Sequence, residues 1–205
     1  MNEPRIGVDE SGKGDYFGYL VVAAVFVDDD KKLAGLGVRD SKKLSDLQVR
    51  DLASRIKKIC KYDIVKISPE KYNHLYKKFK SLNRMLAWAH AKAIENLLKH
   101  VKPEKIISDK FSSRDVLKDY IKTSIRLEQK IRAESDVAVA AASILARSEF
   151  LTTLRRLGRE VGMVLPKGST HVENTIKEII KVDEEILPYV AKIHFKITKK
   201  IKKTI

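Results

Sequence analysis

The sequence contains a single cysteine, Cys60, among 205 residues. A disulfide framework within the monomer is therefore excluded, and a cysteine-based zinc site is disfavoured. No apolar run approaches the roughly 20 residues of a membrane span, and the longest, residues 19–27, has the length of a buried strand. Residues 1–6 lack the apolar core of a secretory signal. We therefore expect a soluble cytoplasmic protein, monomeric, with no disulfide partner and no membrane association.

Acidic residues are scarce relative to basic ones. The chain has 27 Asp and Glu against 42 Lys and Arg, a formal net charge of +15 at pH 7. The electrostatic field of such a positive charge favours a polyanionic partner, most commonly nucleic acid. The alternative is a charged thermophile surface, which is usually balanced in sign. The excess is concentrated near the C-terminus, in a tail that either lies on phosphates or forms a solvated helix: Lys192, Lys196, Lys199, Lys200, Lys202 and Lys203.

Hydrophobic periodicity predicts an α/β domain with a mixed sheet flanked by helices. The first two predicted strands are joined by a short glycine-containing turn, which favours an antiparallel pair. Ser45 is a plausible N-cap of the first helix. Strands are predicted over 5–10, 19–27, 64–67, 105–109 and 125–131, and further helices over 82–101, 133–157 and 171–181. We expect a catalytic domain over 1–160 and a small helical, basic extension over 161–205 packed on the same domain.

Several carboxylates stand at the edges of predicted elements. Asp9 and Glu10 end the first strand, Asp109 ends a later one, and Glu134 and Asp136 open the alanine-rich helix. Carboxylates that converge at one edge of a sheet repel one another unless cations lie between them. Hard oxygen ligands suit Mg²⁺ or Mn²⁺, and two such ions about 4 Å apart serve phosphodiester cleavage. The alternative is that these residues are turn formers or helix caps.

A second group of residues is suited to a sugar-phosphate chain. The Gly12-Lys13-Gly14 turn allows close backbone approach to a ribose 2′-hydroxyl, and Lys13 can contact a phosphate. A simple hairpin turn explains the glycines equally well. The polar loop over 40–43 offers Ser41 and Lys42 to a phosphate, or is a solvated turn before the next helix.

Five further side chains belong either to a nucleic-acid surface or to the core. Arg147 and Lys167 are additional phosphate candidates. His90 lies beside Trp88 in a predicted helix and is interpreted as a packing residue. Tyr16 and Phe17 could stack on a sugar or base, although aromatic residues after a turn belong more often to the core.

The stretch from Gly7 to Gly18 resembles the opening motif of type 2 ribonucleases H, the ribonuclease HII and HIII group. Its continuation, Asp15-Tyr16-Phe17-Gly18, resembles ribonuclease HIII more than HII. Further matching motifs follow in order over nearly the whole chain: residues 40–44, 86–90, 108–111, 132–134, 139–147, 165–168, 171–172 and 193–195.

This resemblance implies an RNase H-like fold and hydrolysis of the RNA strand of RNA/DNA hybrids by two divalent ions, Mg²⁺ or Mn²⁺. The products implied are 5′-phosphate and 3′-hydroxyl ends. The family's metal-binding carboxylates correspond to Asp9, Glu10 and Asp109. Glu134 and Asp136 compete for a fourth catalytic position, and Glu134 is preferred because Arg132-Ala133-Glu134 fits the Lys-Ala-Glu pattern of the family.

The resemblance also leaves alternatives open. Ribonuclease HIII usually carries an N-terminal substrate-binding domain, whereas the catalytic motif here begins at residue 7, so hybrid affinity is expected to come from elsewhere, such as the basic tail. The substrate preference could instead follow ribonuclease HII, with incision at single ribonucleotides in duplex DNA. A non-catalytic nucleic-acid-binding protein is the third possibility, disfavoured by the retained carboxylates.

Overall fold

The structure, a computed structural model, describes residues 3–38, 41, 44–112 and 115–202. Five strands of these residues form one sheet in the order β3-β2-β1-β4-β5. Strand β1 pairs antiparallel with β2 and parallel with β4, so the predicted mixed sheet and the predicted first hairpin are confirmed. The strands are β1 (Arg5–Ser11), β2 (Leu20–Val27), β3 (Tyr62–Ile67), β4 (Lys105–Asp109) and β5 (Arg126–Lys130).

Helices cover both faces of this sheet. Ser45 caps the second helix with a full capping box, as its position predicts. A helix that the sequence analysis missed begins at Pro69, where Ser68 is the N-cap and proline occupies the first turn. The helices of the described residues are α1 (Lys31–Ala34), α2 (Asp46–Ile59), α3 (Pro69–Phe79), α4 (Leu82–Leu98), α5 (Val137–Glu160), α6 (Glu173–Val182), α7 (Leu187–Val190) and α8 (Lys196–Lys202).

The alternation of side chains along β2 divides the core into two layers. Val21 and Val25 belong to the layer that contains α2 and α5, whereas Leu20 and Val22 belong to the layer that contains α4. Because successive residues of a strand point to opposite faces, an apolar run such as β2 must be covered on both sides. The sheet is therefore the middle layer of the fold.

Helix α5 is the central element of one layer. Its length and composition alone would allow it to cross a membrane, but 78% of its most apolar window is buried inside the fold. It packs against β1, β2 and α2. The helix begins at Val137 rather than at the predicted residue 133, because Ala133–Ser135 forms a separate 3₁₀ turn and Asp136 is the N-cap.

The C-terminal segment, residues 187–202, is hydrogen-bonded to Tyr16 and Gly18, just after the glycine turn. Its apolar side chains belong to the same core as α5. Asn73 of α3 holds it by donating to the carbonyl oxygen of Ala191 (2.9 Å) and accepting from the amide of Ile193 (3.1 Å). Tyr16 and Phe17 are fully buried beneath it, which identifies them as core residues.

Lys192, the first lysine of the predicted basic tail, is not on the surface. Its side chain is fully buried, and its ammonium donates to the carbonyl oxygens of Asp15 (2.8 Å) and Gly18 (2.6 Å). Burial lowers the pKa of Lys192 to about 7, and the negative charge of Asp15 opposes this change. The expectation that this lysine lies on phosphates or in a solvated helix is therefore wrong, because its charge is satisfied inside the fold.

Gly7 is required by the close approach of β1 to α5. A Cβ at this position would lie 2.2 Å from the carbonyl carbon of Ala138 and 2.2 Å from the amide nitrogen of Val139. We expect Gly7→Ala to lower the free energy of unfolding by about 2 kcal/mol or more, the cost of overpacking a rigid contact. Gly35→Ala is the control, because nothing lies within 4 Å of its Cβ position. Urea unfolding of both variants checks this, and equal midpoints would contradict it.

Candidate active site

The parallel pairing of β1 and β4 brings two carboxylates together. Val8 pairs with Ser108, so the next residues, Asp9 and Asp109, lie side by side where β4 and its parallel pairing with β1 end. Adjacent strands are about 4.8 Å apart. The sequence-based expectation that these carboxylates meet at one edge of the sheet is consistent with this register.

The same alternation sends Glu10 to the other face of the sheet. Asp9 shares the side of Gly7, which packs on α5, whereas Glu10 shares the side of Val8, which packs in the α4 layer. The three carboxylates are thus distributed around the strand ends, two on one face and one on the other.

Asp9 is half-buried and close to like charges. Its Oδ1 accepts from the amide of Glu10 (2.8 Å), and the hydroxyl of Ser143 on α5 also donates to it. Burial, together with the negative charges of Glu10 and Asp109, raises the pKa of Asp9 to about 8, although the hydrogen bonds act in the opposite direction. The site therefore carries negative charge that its own residues do not fully balance.

Glu10 is held by two cationic or polar groups. Its Oε2 lies 3.0 Å from Nε2 of His90, and its Oε1 lies 3.4 Å from Nζ of Lys13. Burial opposes ionisation, but the hydrogen bond and charge of His90, together with Lys13, hold the pKa of Glu10 below its usual range. The interpretation of His90 as a packing residue missed this contact. Its polar ring on the buried face of α4, among Leu86 and Ile94, was the available signal.

Glu134 and Asp136 occupy different surroundings. The amide of Ala133 donates to Oδ1 of Asp109 (3.2 Å), so the 3₁₀ turn that carries Glu134 adjoins the carboxylate edge. Glu134 is half-buried, and among the described residues its carboxylate has no hydrogen bond or ion pair.

Asp136 instead has two structural partners. Its carboxylate caps α5 by accepting from the amide of Ala138 (2.8 Å) and pairs with Nε of the buried Arg5 (2.7 Å). Arg5 also pairs with Asp30 (2.8 Å) at the start of β1. Arg5 and Asp9 are four residues apart on the strand, roughly 13 Å. Asp136 therefore serves the opposite end of β1 from the carboxylate edge.

The donor set suits a hard divalent cation. Carboxylate oxygens are the ligands that Mg²⁺ and Mn²⁺ prefer, and the unbalanced charge around Asp9 supplies the attraction. In the part of the chain that the structure describes, no three His, Cys, Asp or Glu side chains already converge on one point. The division of the carboxylates between two faces accounts for this, since Glu10 is engaged by His90 and Lys13.

In the glycine turn beside this edge, Gly12 is required by the backbone conformation, whereas Gly14 is open to solvent. Gly12 has a φ of +85°, and a Cβ there would lie 2.1 Å from the carbonyl oxygen of Tyr19, so the turn itself requires glycine. Gly14 is exposed, and nothing lies within 4 Å of its Cβ position. Gly14 and the neighbouring Lys13 are thus the positions that a sugar-phosphate chain can reach.

The other phosphate candidates meet at the first residue of α2. Asp46 accepts from Nη2 of Arg147 (2.9 Å) and from Nζ of Lys167 (2.8 Å). Arg147 also donates to the carbonyl oxygen of Ser41.

Ser41 is only 3% exposed, and its Oγ lies 2.6 Å from Oγ of Ser143. The hydroxyl is therefore linked through Ser143 to Asp9 rather than directed to solvent. Lys42, the remaining candidate, lies outside the described residues.

Comparison with known proteins agrees with this geometry. The family described as Ribonuclease HII matches residues 6–198. Ribonuclease HIII of Protochlamydia amoebophila is 48% identical over 200 residues, covering 94% of this chain and 66% of that protein. Ribonuclease HIII of Chlamydia felis is 47% identical over 203 residues, covering 94% and 68%. The chain thus spans about two thirds of the length of these relatives.

A solved structure gives the same result at the level of the fold. The crystal structure of Bst-RNase HIII in complex with Mn²⁺ superposes with a TM-score of 0.92 at 37% identity, over 98% of this chain and 70% of that one. The RNase H-like fold implied by the sequence motifs is thereby confirmed. The chain belongs to the ribonuclease HII family, and within it the relatives compared above are proteins named ribonuclease HIII.

Proposed function

We propose that this chain hydrolyses the RNA strand of RNA/DNA hybrids and leaves 5′-phosphate and 3′-hydroxyl ends. The observation that carries the proposal is the register of β1 and β4, which sets Asp9 and Asp109 side by side at a sheet edge. Glu10 reaches the same edge from the other face, and the chain as a whole carries a net charge of +15. A basic protein with an acidic edge suits a phosphodiester bound through divalent cations.

Each residue of the edge has a task that follows from its position. Bound divalent ions would supply an activated water and stabilise the leaving 3′-oxygen. Asp9 lies between the other carboxylates and is placed to share ions with both neighbours. Gly14 exposes backbone to a 2′-hydroxyl, the group that distinguishes RNA from DNA, and Lys13 offers its ammonium to a phosphate.

The surroundings support Glu134 rather than Asp136 as the fourth carboxylate. Glu134 lies in the turn bonded to Asp109 and is uncommitted among the described residues. Asp136 is engaged as the cap of α5 and as the partner of Arg5.

Helix α8 supports an additional role in hybrid binding. The hydroxyls of Thr198 and Tyr16 are hydrogen-bonded (3.0 Å), which places α8 next to the glycine turn. Lys196 and Lys199 of this helix are exposed, whereas Ile201 is buried in the core. The helix therefore contributes both to the fold and to the positive surface near the site.

Incision at single ribonucleotides in duplex DNA is the second candidate, since the matching family is the one described as Ribonuclease HII. Cleavage mapping distinguishes the two activities. One duplex carries a single ribonucleotide and the other a long RNA stretch, each tested with Mg²⁺ and with Mn²⁺. Cleavage of the long hybrid alone supports the first proposal, and cleavage restricted to the single ribonucleotide supports the second.

Asp9→Asn should reduce hybrid cleavage by about 100-fold or more, because it removes the central ligand charge while keeping the side-chain shape. Hybrid binding without added metal should be largely unchanged. Cleavage is measured in Mg²⁺ and Mn²⁺, with EDTA-treated protein as the blank. Undiminished cleavage by Asp9→Asn would contradict the assignment of Asp9 as a metal ligand.

The same variant should be more stable than the wild type in metal-free buffer. A folded-state pKa of about 8 for Asp9, above its unfolded value, means that the folded protein loses stability as the pH rises from about 4 to about 8. Asn cannot ionise, so the gap between the two proteins should widen over that range. Thermal melts across this pH series measure it, and parallel curves would contradict the raised pKa.

Glu134→Gln and Asp136→Ala should separate catalysis from folding. Glu134→Gln is expected to lose cleavage with little change in stability. Asp136→Ala should lower the free energy of unfolding by about 2–4 kcal/mol, because it removes a helix cap and leaves Arg5 one carboxylate short. Cleavage at a temperature where both variants are folded, together with urea unfolding, makes the comparison. The reverse pattern would make Asp136 the fourth carboxylate.

The double variant Lys196→Gln, Lys199→Gln should weaken hybrid binding and reduce the salt slope of its affinity by up to about 2, since each lost phosphate contact removes about 0.9. Substitution is preferable to deletion of the tail, which would strip Ile201 from the core. The charge-matched control is Lys99→Gln, Lys102→Gln, two exposed positions before β4 at the far end of the sheet. Equal slopes for both double variants would show that only net charge matters.

A further inference from the structure

His90 is a buried polar side chain on an apolar helix face. It is fully buried in α4, where neighbouring positions such as Leu86 and Ile94 belong to the hydrophobic core. A buried imidazole is costly unless its nitrogen atoms are hydrogen-bonded. Both are: Nε2 lies 3.0 Å from Oε2 of Glu10, and Nδ1 lies 3.2 Å from Oγ of Ser108.

The direction of the bond to Glu10 follows from the chemistry of its partner. An ionised carboxylate only accepts, so the proton of this bond must be on Nε2 of His90. Ser108 has one hydroxyl proton and can give it either to Nδ1 or to the carbonyl oxygen of Asp109, which lies 3.1 Å away. In either arrangement Nε2 remains the donor to Glu10.

This bond fixes one oxygen of Glu10 and leaves the other for a different partner. Oε2 faces the buried ring, whereas Oε1 faces Lys13, whose side chain is 36% exposed. Ser108 lies in β4 directly before Asp109, and it orients the ring through Nδ1. His90 thus contacts both strands that carry the carboxylates, Glu10 of β1 and Ser108 of β4. The ring of Phe111 packs against the imidazole, with 4.9 Å between the ring centroids.

We propose that His90 is a positioning residue, which holds Oε2 of Glu10 so that Oε1 is presented at the sheet edge to a divalent cation. The inference rests on the proposed function, in which Glu10 is a metal ligand. Hydrogen bonds to ligating groups commonly change metal affinity or activity 10- to 100-fold. His90 itself does not contact the substrate.

The test is direct binding of Mn²⁺, followed by electron paramagnetic resonance of the free ion in the absence of substrate. His90→Leu removes the donor and fills the space with an apolar side chain, and we expect its Mn²⁺ dissociation constant to rise about 10- to 100-fold. His90→Gln, which can place an amide donor near Oε2, should recover most of the affinity. Ile94→Val is the control for a packing defect in the same helix, and its Mn²⁺ affinity should match the wild type.

Two control variants distinguish a failure of the His90 role from a failure of the proposed metal site. If Asp9→Asn and Glu10→Gln also leave Mn²⁺ affinity unchanged, the metal assignment itself fails. If those two variants lose affinity and folded His90→Leu does not, His90 has no positioning role.

If His90→Leu does not fold, Ser108→Ala carries the test, because it keeps the ring and removes the group that orients it. A rise in the Mn²⁺ dissociation constant of Ser108→Ala then supports the inference, and an unchanged value overturns it.

Discussion

The parallel pairing of β1 with β4 is the constraint on which the rest of the site depends. It is set by register alone: once Val8 lies opposite Ser108, Asp9 and Asp109 must be neighbours. Shifting one strand by a single residue would turn every side chain to the other face. The apolar side chains of both strands oppose such a shift, so the energy that packs the core also holds two negative charges together.

Two helices on opposite faces of the sheet reduce the free-energy cost of holding these carboxylates close together. From α5, Ser143 donates to Asp9, and from α4, His90 donates to Glu10. Each bond stabilises a carboxylate that burial would otherwise drive toward its neutral form. The site is consequently supported by side chains of the core helices, which are rigid, whereas the glycine turn and α8 supply the groups that are open to solvent. The side chains that hold the carboxylates and the groups that face solvent therefore belong to different parts of the chain.

The sequence predicts the strands and the meeting of two carboxylates at one sheet edge well, but it predicts the hydrogen-bond partners of buried polar side chains poorly. Period-two alternation and a carboxylate at a strand end are local signals, so the sequence itself contains the information that brings Asp9 and Asp109 to one edge. The helix at Pro69 is not predicted because Ser68-Pro69 directly follows the predicted strand over 64–67, where such a pair also serves to end a strand. In the structure the same pair is an N-cap followed by a first-turn proline. The roles of His90 and Lys192 depend on atoms about 80 and 175 residues away in the chain, and no local pattern contains them.

The burial of Lys192 has a consequence for how the molecule is assembled. Its ammonium is bound to carbonyl groups of the segment that follows the glycine turn, and its own amide donates to the carbonyl oxygen of Tyr16 (2.8 Å). The segment after the glycine turn therefore attains its final shape only when a residue about 175 positions later in the sequence is in place. A nascent chain emerging from the ribosome would hold this segment without its internal cation until Lys192 has been synthesised.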